Sequence, residues 1–206
     1  MVECNGKISY NCSFKFDTKS VFVRQCFSVL AGLKEANLYI CRDCEYLEVV
    51  KDLKNTCIHS YLLYSEGDKR VFFLYNKCKM LKLLEQKEVQ IFLEKENYTS
   101  IELNYVLDFF KERYIHSLKN KRDFPHEMGI LLGYPIEDIK GFIDNEGKNS
   151  LLTGYWKVYA DFEKKRDLFN LFDKAKNNII SDLSCGVPIK DIIKNYNEMP
   201  CMTVAM

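Results

Sequence analysis

The sequence predicts an α+β protein with a small, mostly antiparallel sheet of about four strands, helices on one side and a helix-rich C-terminal half. Strand-length runs of aliphatic and aromatic residues lie in the first half of the chain, whereas apolar residues at helical spacing dominate the second. With 206 residues, 47% of them hydrophobic, we expect a single domain over residues 1–206. Residues 1–20 are weakly patterned, and residues 198–206 are expected to form a flexible tail.

The first half carries most of the strand signals. We predict a short helix over residues 21–33, which ends near Gly32, a strand over 37–41 and a helix over 43–53. Two aromatic and aliphatic runs at 58–64 and 70–75 then flank the segment SEGDK. A Gly-Asp turn between two such runs predicts a β-hairpin.

Helical periodicity takes over from residue 76. Apolar residues near 81–84 and 89–92 predict two short helices, and a longer one is predicted over 100–118. Thr99 and Glu102 have the spacing of a capping box for this longer helix. Asp161 is expected to cap another long helix that stops at Gly186, before a last short helix over 189–196.

Composition and charge exclude several classes of function. Lys and Arg number 30 against 29 Asp and Glu, a formal net charge of +1, so no nucleic-acid partner is expected. We find no membrane-length apolar run and no secretory signal, and we expect a cytoplasmic protein whose nine cysteines are reduced. The motifs of Ser-His-Asp hydrolases, P-loop proteins and dinucleotide-binding domains do not occur.

The stretch from Phe124 to Tyr159 concentrates residues with special backbone or chemical properties. It holds five of the nine glycines, two of the four prolines, one of the three histidines and the only tryptophan. Its prolines and glycines predict helices over 125–132 and from 135 to an exit turn at 145–147, and a strand over 152–159. Gly129 and Gly141 inside these helices either allow close packing or leave room for a ligand.

Alternation along the predicted strand places Tyr155, Lys157 and Tyr159 on one face, opposite the core-facing Trp156 and Val158. A lysine between two tyrosines is suited to an anionic or planar ligand. The same row also fits a solvent-facing surface on which the lysine stem covers aromatic rings.

His126 and Glu127 are neighbours in the sequence, so their side chains diverge by about 100° on a helix. They cannot act side by side without a bend. Catalytic base, metal or haem ligand, and structural capping residue all remain open for this pair.

The segment FPHEMGILLGYPIEDIKGFI, followed by GKN and GYWKVYAD, resembles the signature of an uncharacterised bacterial family. That family is a domain of unknown function found mostly in anaerobic Gram-positive bacteria. The likeness extends to CFSVLAGLKEANLYI, VFFLYN and LFDKAKN, and thus covers most of residues 21–180. Family members often have His at the position of Gln25 and Cys near Ala175, and these departures weaken a Cys–His or two-cysteine mechanism at Cys26. The resemblance implies no established activity, substrate or cofactor.

Cys41 and Cys44 form a CxxC pair, and Cys57 and His59 follow in the sequence. Three thiolates and an imidazole match the ligands of tetrahedral zinc sites, and a CxxC near a strand-to-helix junction also suits a redox dithiol. Ordinary reduced thiols are the alternative that we favour, and no metal site is expected.

Two further classes of function remain. The first is a small-molecule or cofactor-binding protein with a pocket built around residues 124–159; the cofactor is unknown and catalysis undecided. Its candidate pocket residues are Cys26, Asn37, His126, Glu127, Tyr134, Tyr155 and Lys157. The second is a protein–protein interaction or regulatory module, which predicts an exposed apolar patch and no well-formed polar pocket.

Overall fold

The computed structural model describes residues 18–120 and 124–198, and it confirms the α+β class and the helix-rich C-terminal half. The helices of these ranges are α1 (Thr18–Leu30), α2 (Asp43–Leu53), α3 (Lys77–Leu84), α4 (Lys87–Lys95), α5 (Leu103–Lys119), α6 (Glu127–Leu131), α7 (Ile136–Asp144), α8 (Phe162–Ser184) and α9 (Ile189–Glu198). The strands are β1 (Ala36–Arg42), β2 (Ile58–Glu66), β3 (Lys69–Asn76), β4 (Leu152–Thr153) and β5 (Lys157–Val158). The predicted weakly patterned N-terminal segment and flexible tail lie almost entirely outside the described residues.

The main sheet has three antiparallel strands in the order β1–β3–β2. Strands β2 and β3 form the predicted hairpin, in which Ile58 lies opposite Asn76 and Glu66 opposite Lys69. The register shifts between Leu62 and Tyr64, which leaves Leu63 as an extra residue with a fully buried side chain.

Helices cover both faces of this sheet, so the expectation of helices on one side is wrong. The central strand gives the reason, because residues 71–75 (VFFLY) are all buried. Phe72 and Leu74 pack into one core, whereas Val71, Phe73 and Tyr75 pack into another. A strand without a polar face must be covered on both sides.

The first core lies between the sheet and α1, α2, α8 and α9, and it includes Phe22, Leu30 and Phe172. The second lies between the sheet and α3 to α7, with Met80 and Phe110 at its centre. Trp156 and Val158 belong to the first core, and Tyr134 packs against both. The 124–159 stretch therefore lies where the two cores meet.

Two predicted helix caps differ from the structure. The N-cap of α5 is Glu102, whose carboxylate accepts a hydrogen bond from the Tyr105 amide at 3.0 Å. Thr99 instead donates its hydroxyl to Tyr105 Oη at 2.9 Å, so the predicted capping box is wrong. Asp161 precedes α8 in a left-handed conformation (φ 51°) and makes no side-chain capping hydrogen bond.

Residues 152–159 form a tight two-stranded ribbon and not the predicted single strand. Strands β4 and β5 pair antiparallel, with Leu152 opposite Val158 and Thr153 opposite Lys157. The chain reverses at residues 154–156, so Tyr155, Lys157 and Tyr159 do not form the predicted row along one strand. The prediction that Trp156 and Val158 are buried is confirmed.

No helix in the described part of the chain is long and apolar enough to cross a membrane.

Candidate functional site

Asp138 joins helix α7 to the β4–β5 ribbon. Its buried carboxylate accepts hydrogen bonds from Trp156 Nε1 at 2.8 Å, the Tyr159 amide at 2.8 Å and the Ala160 amide at 3.1 Å. The ammonium of Lys165 lies 4.0 Å from the same carboxylate. Because a buried carboxylate needs such partners, this set of contacts fixes the ribbon against α7.

Gly129 and Gly141 permit close approach between these elements. A β-carbon at Gly141 would overlap the side chain of Tyr159, and one at Gly129 would lie 3.1 Å from Ile139 Cγ1. Close packing therefore accounts for both glycines. Gly129 also lines the cavity described below, so at that position the glycine both allows close packing and leaves room for a ligand.

Helices α6 and α7 and the ribbon surround a cavity of about 300 Å³ that is partly open to solvent. We call it the aromatic pocket. Its lining is mainly aromatic and aliphatic and consists of Phe124, His126, Met128, Gly129, Leu132, Tyr134, Asp138, Ile139, Phe142, Tyr155, Trp156 and Lys157. The volume lies at the small end of known ligand pockets, which span about 300–1,000 Å³.

Ring contacts organise the pocket wall. Tyr134 and Trp156 stack with centroids 5.1 Å apart and planes inclined by 26°. The imidazole of His126 meets the rings of Phe124 and Phe142 edge-on, at 5.6 Å and 6.0 Å between centroids. Such contacts hold the rings in defined orientations.

Three polar side chains reach this mostly apolar wall. His126 is half-buried, and its imidazole makes no hydrogen bond to any residue that the structure describes. Lys157 Nζ donates to the Gly147 carbonyl at 2.6 Å and lies 5.9 Å from the centroid of Phe142. Asp138 is already engaged with the ribbon. Of these three side chains, His126 and Lys157 are thus the ones that retain hydrogen-bonding capacity.

Tyr155 lines the pocket, but its hydroxyl is engaged elsewhere. It donates to Asp173 at 2.7 Å, and its ring packs against Phe169 and Phe172. Burial, together with the hydrogen bond to Asp173, raises the pKa of Tyr155. Of the predicted pocket residues, the structure thus brings His126, Tyr134, Tyr155 and Lys157 together.

Glu127 does not line the pocket. It is fully buried, pairs with the guanidinium of Arg113 and accepts a hydrogen bond from Tyr98 Oη at 3.2 Å. Arg113 also lies 2.7 Å from Glu96. Burial beside this carboxylate raises the pKa of Tyr98. Glu127 is therefore a buried residue of an ion pair. Its neighbour His126 precedes α6 but makes no side-chain capping hydrogen bond there.

Cys26 and Asn37 also lie outside the pocket lining. Cys26 is fully buried in the first core, and burial raises the pKa of its thiol. Asn37 Oδ1 accepts hydrogen bonds from Ser28 Oγ at 2.7 Å and from the Val29 amide at 3.1 Å. It therefore ties the end of α1 to the start of β1.

Lys34 is a neighbour of the pocket that sequence reasoning missed. Its side chain is 5% exposed, and its ammonium lies 4.5 Å from the centroid of Tyr134. Burial lowers the pKa of Lys34 to about 8, against the opposing effects of Glu35 and Cys26. No sequence pattern marks it, because lysines in connecting loops are usually solvated. Sequence reasoning also missed Asp138 as a pocket residue, although it lies in the segment FPHEMGILLGYPIEDIKGFI that carries the family resemblance.

The four residues of the possible zinc site, Cys41, Cys44, Cys57 and His59, do not assemble. Cys41 is buried, Cys44 and His59 are exposed, and Cys57 accepts a hydrogen bond from Asn76 Nδ2 at 3.4 Å. In residues 18–120 and 124–198, no group of three or more His, Cys, Asp and Glu side chains is placed to hold a metal ion. Burial raises the pKa of Cys41 to about 12, which disfavours the thiolate that a redox dithiol requires.

The fold and the pocket define an α+β protein with a small aromatic cavity at the junction of two cores. Residues 22–193 match the model of the family described as "Protein of unknown function (DUF3793)", and the chain belongs to that family. The predicted resemblance to an uncharacterised family of unknown function is therefore confirmed. No curated protein and no solved structure matches the chain.

Proposed function

We propose that this protein binds a small, ring-containing molecule in the aromatic pocket. The observation that carries the proposal is the composition of the wall. Five aromatic rings and the His126 imidazole surround about 300 Å³ of partly open space. Pockets that combine apolar walls with a few polar groups are the usual sites of small-molecule binding.

The energetics of the wall support an occupant. Apolar surface removed from water contributes about 25 cal/mol per Å², and aromatic rings present large flat areas for such burial. Phe124 at the pocket is 48% exposed, so a ring placed against it would cover apolar surface. The Asp138 contacts fix the wall in advance, which lowers the ordering cost of binding.

His126 is the natural polar contact for this ligand. A neutral imidazole offers one hydrogen-bond donor and one acceptor, and neither is used by a described residue. A ligand group that either donates or accepts therefore finds a partner there. The proposal concerns binding and assigns no catalytic step to His126.

Native mass spectrometry of protein purified anaerobically tests the proposal. We expect a bound small molecule that is released on denaturation. Met128→Phe places an additional ring at the pocket wall and should abolish retention of that molecule. Leu81→Phe adds the same ring on the exposed side of α3 and should leave it intact. A wild-type protein that carries no small molecule, or equal retention in both variants, counts against the proposal.

A second candidate, the interaction module, is favoured by one observation. Phe124 is a large apolar side chain that is 48% exposed next to the open pocket. A side chain from a partner protein would then fill the cavity. Phe124→Ala should in that case abolish complex formation while the protein purifies without a small molecule.

A further inference from the structure

We infer that the aromatic pocket accepts a ring bearing an anionic group, and that Lys157 is the residue that selects this charge. The inference rests on the proposed function, since it names the class of ligand for the same pocket. It combines two features of the wall, the arrangement of its rings and the charge at its open side.

The ring arrangement favours a small planar ligand. Tyr134 and Trp156 form a stacked pair, and His126 lies edge-on between Phe124 and Phe142. A flat ring can contact such walls by stacking and edge contacts simultaneously. A volume of about 300 Å³ limits the ligand to a small molecule of one or two rings.

Lys157 supplies the positive charge. It is the only lysine or arginine among the described residues that line the pocket. The residue is exposed to solvent. Its ammonium uses one donor on the Gly147 carbonyl at 2.6 Å. Since an ammonium has three N–H groups, two remain for a carboxylate or another anion. The Gly147 contact also holds the charge in place, which reduces the ordering cost on binding.

The opposite preference, for a cation, is disfavoured by the same wall. Two features of the wall would favour a cation. Its aromatic rings attract cations, and it contains one carboxylate among the described lining residues, that of Asp138. That carboxylate already accepts three hydrogen bonds and lies 4.0 Å from the Lys165 ammonium. Its charge is therefore compensated inside the protein, whereas the charge of Lys157 faces an entering cation.

Three benzene derivatives of equal ring size test this inference by isothermal titration calorimetry. Benzoate, benzamide and benzylammonium carry a negative, a neutral and a positive substituent at neutral pH. We expect benzoate to bind about 5- to 20-fold more tightly than benzamide, which is the gain expected from one partly solvated charge pair. Benzylammonium should bind most weakly. The preference for benzoate should shrink as the salt concentration rises.

Variants assign the preference to Lys157. Lys157→Gln should reduce benzoate affinity to about the level of benzamide, and benzamide binding that persists in this variant shows that the pocket is intact. Lys157→Arg should preserve the preference. Lys140→Gln removes an equal charge from an exposed position on α7 that does not line the pocket, and should change neither affinity.

The outcomes separate this inference from the proposed function. Equal binding of benzoate and benzamide overturns the anion preference but leaves ring binding standing. A benzoate preference that survives in Lys157→Gln overturns the role of Lys157. If none of the three compounds binds, ring binding in this pocket and the anion preference are both rejected.

Discussion

Glu127 illustrates how a buried charge is accommodated at the scale of single residues. Its carboxylate is fully buried, and the guanidinium of Arg113 and the hydroxyl of Tyr98 are its partners. Hydrogen bonding to this carboxylate raises the pKa of Arg113. An ion pair of this kind depends on both charges, because removal of one leaves the other poorly compensated.

Glu127→Gln should therefore destabilise the protein by about 2 kcal/mol, less than for a fully enclosed pair because Arg113 keeps Glu96 as a partner. Urea unfolding followed by circular dichroism measures the change. Glu146→Gln is the matched control, since the Glu146–Lys148 pair is exposed and should contribute little. Equal effects of the two substitutions would contradict a structural role for the buried pair.

Lys34 gives a prediction about pH. Burial lowers its pKa from the ordinary 10.5 to about 8 in the folded protein. Between these two pKa values Lys34 is protonated more fully in the unfolded chain than in the folded protein. The free energy of unfolding that Lys34 contributes therefore rises with pH. The destabilisation is complete below pH 8 and is lost above about pH 10.5.

Lys34→Met should accordingly be more stable than the wild type at pH 7, and its advantage should fall by on the order of 2–3 kcal/mol towards pH 10.5. The difference between the two proteins is the quantity to measure, since Cys26 and Tyr39, whose pKa values are raised, titrate in both. Lys82→Met, at an exposed site on α3, should show no such pH dependence. A constant advantage for Lys34→Met across this range would refute the buried-charge explanation.

At the scale of elements, helix α7 lies in close contact with Tyr159, the residue that follows the ribbon. Gly141→Ala should cost about 1–3 kcal/mol, because the new β-carbon meets the first atoms of the Tyr159 side chain, which cannot move without the backbone. Gly129→Ala should cost less, since the atoms it meets belong to the side chain of Ile139. Thermal unfolding of the two variants compares them directly, and the reverse order would contradict the packing described for α7.

Sequence patterns predicted helices and strands well where neighbouring residues determine the structure. They predicted poorly where the pairing of strands determines it. Helix α2 begins and ends where predicted, and the β2–β3 hairpin follows from its turn residues. The β4–β5 ribbon was missed because alternating residues occur equally in a strand and in a short hairpin. Only the pairing of Leu152 with Val158, a tertiary fact, distinguishes the two.

At the scale of the whole molecule, the sheet separates two cores, and the aromatic pocket lies near their junction. Tyr134 contacts both cores, and Trp156 belongs to the first while it also lines the pocket. Four predicted pocket residues could be found from one stretch of sequence because they are close along the chain. Glu127 could not be assigned, because its partner Arg113 approaches only in the folded protein.

Titration of the intrinsic fluorescence of Trp156 tests the central claim most directly. It is the only tryptophan of the chain and lines the pocket, so its emission reports on the cavity itself. With a set of non-fluorescent one- and two-ring compounds, we expect saturable emission changes that disappear in Met128→Phe and persist in Leu81→Phe. The absence of any saturable change, or a change that survives unaltered in Met128→Phe, would show that the aromatic pocket is not a binding site for small rings.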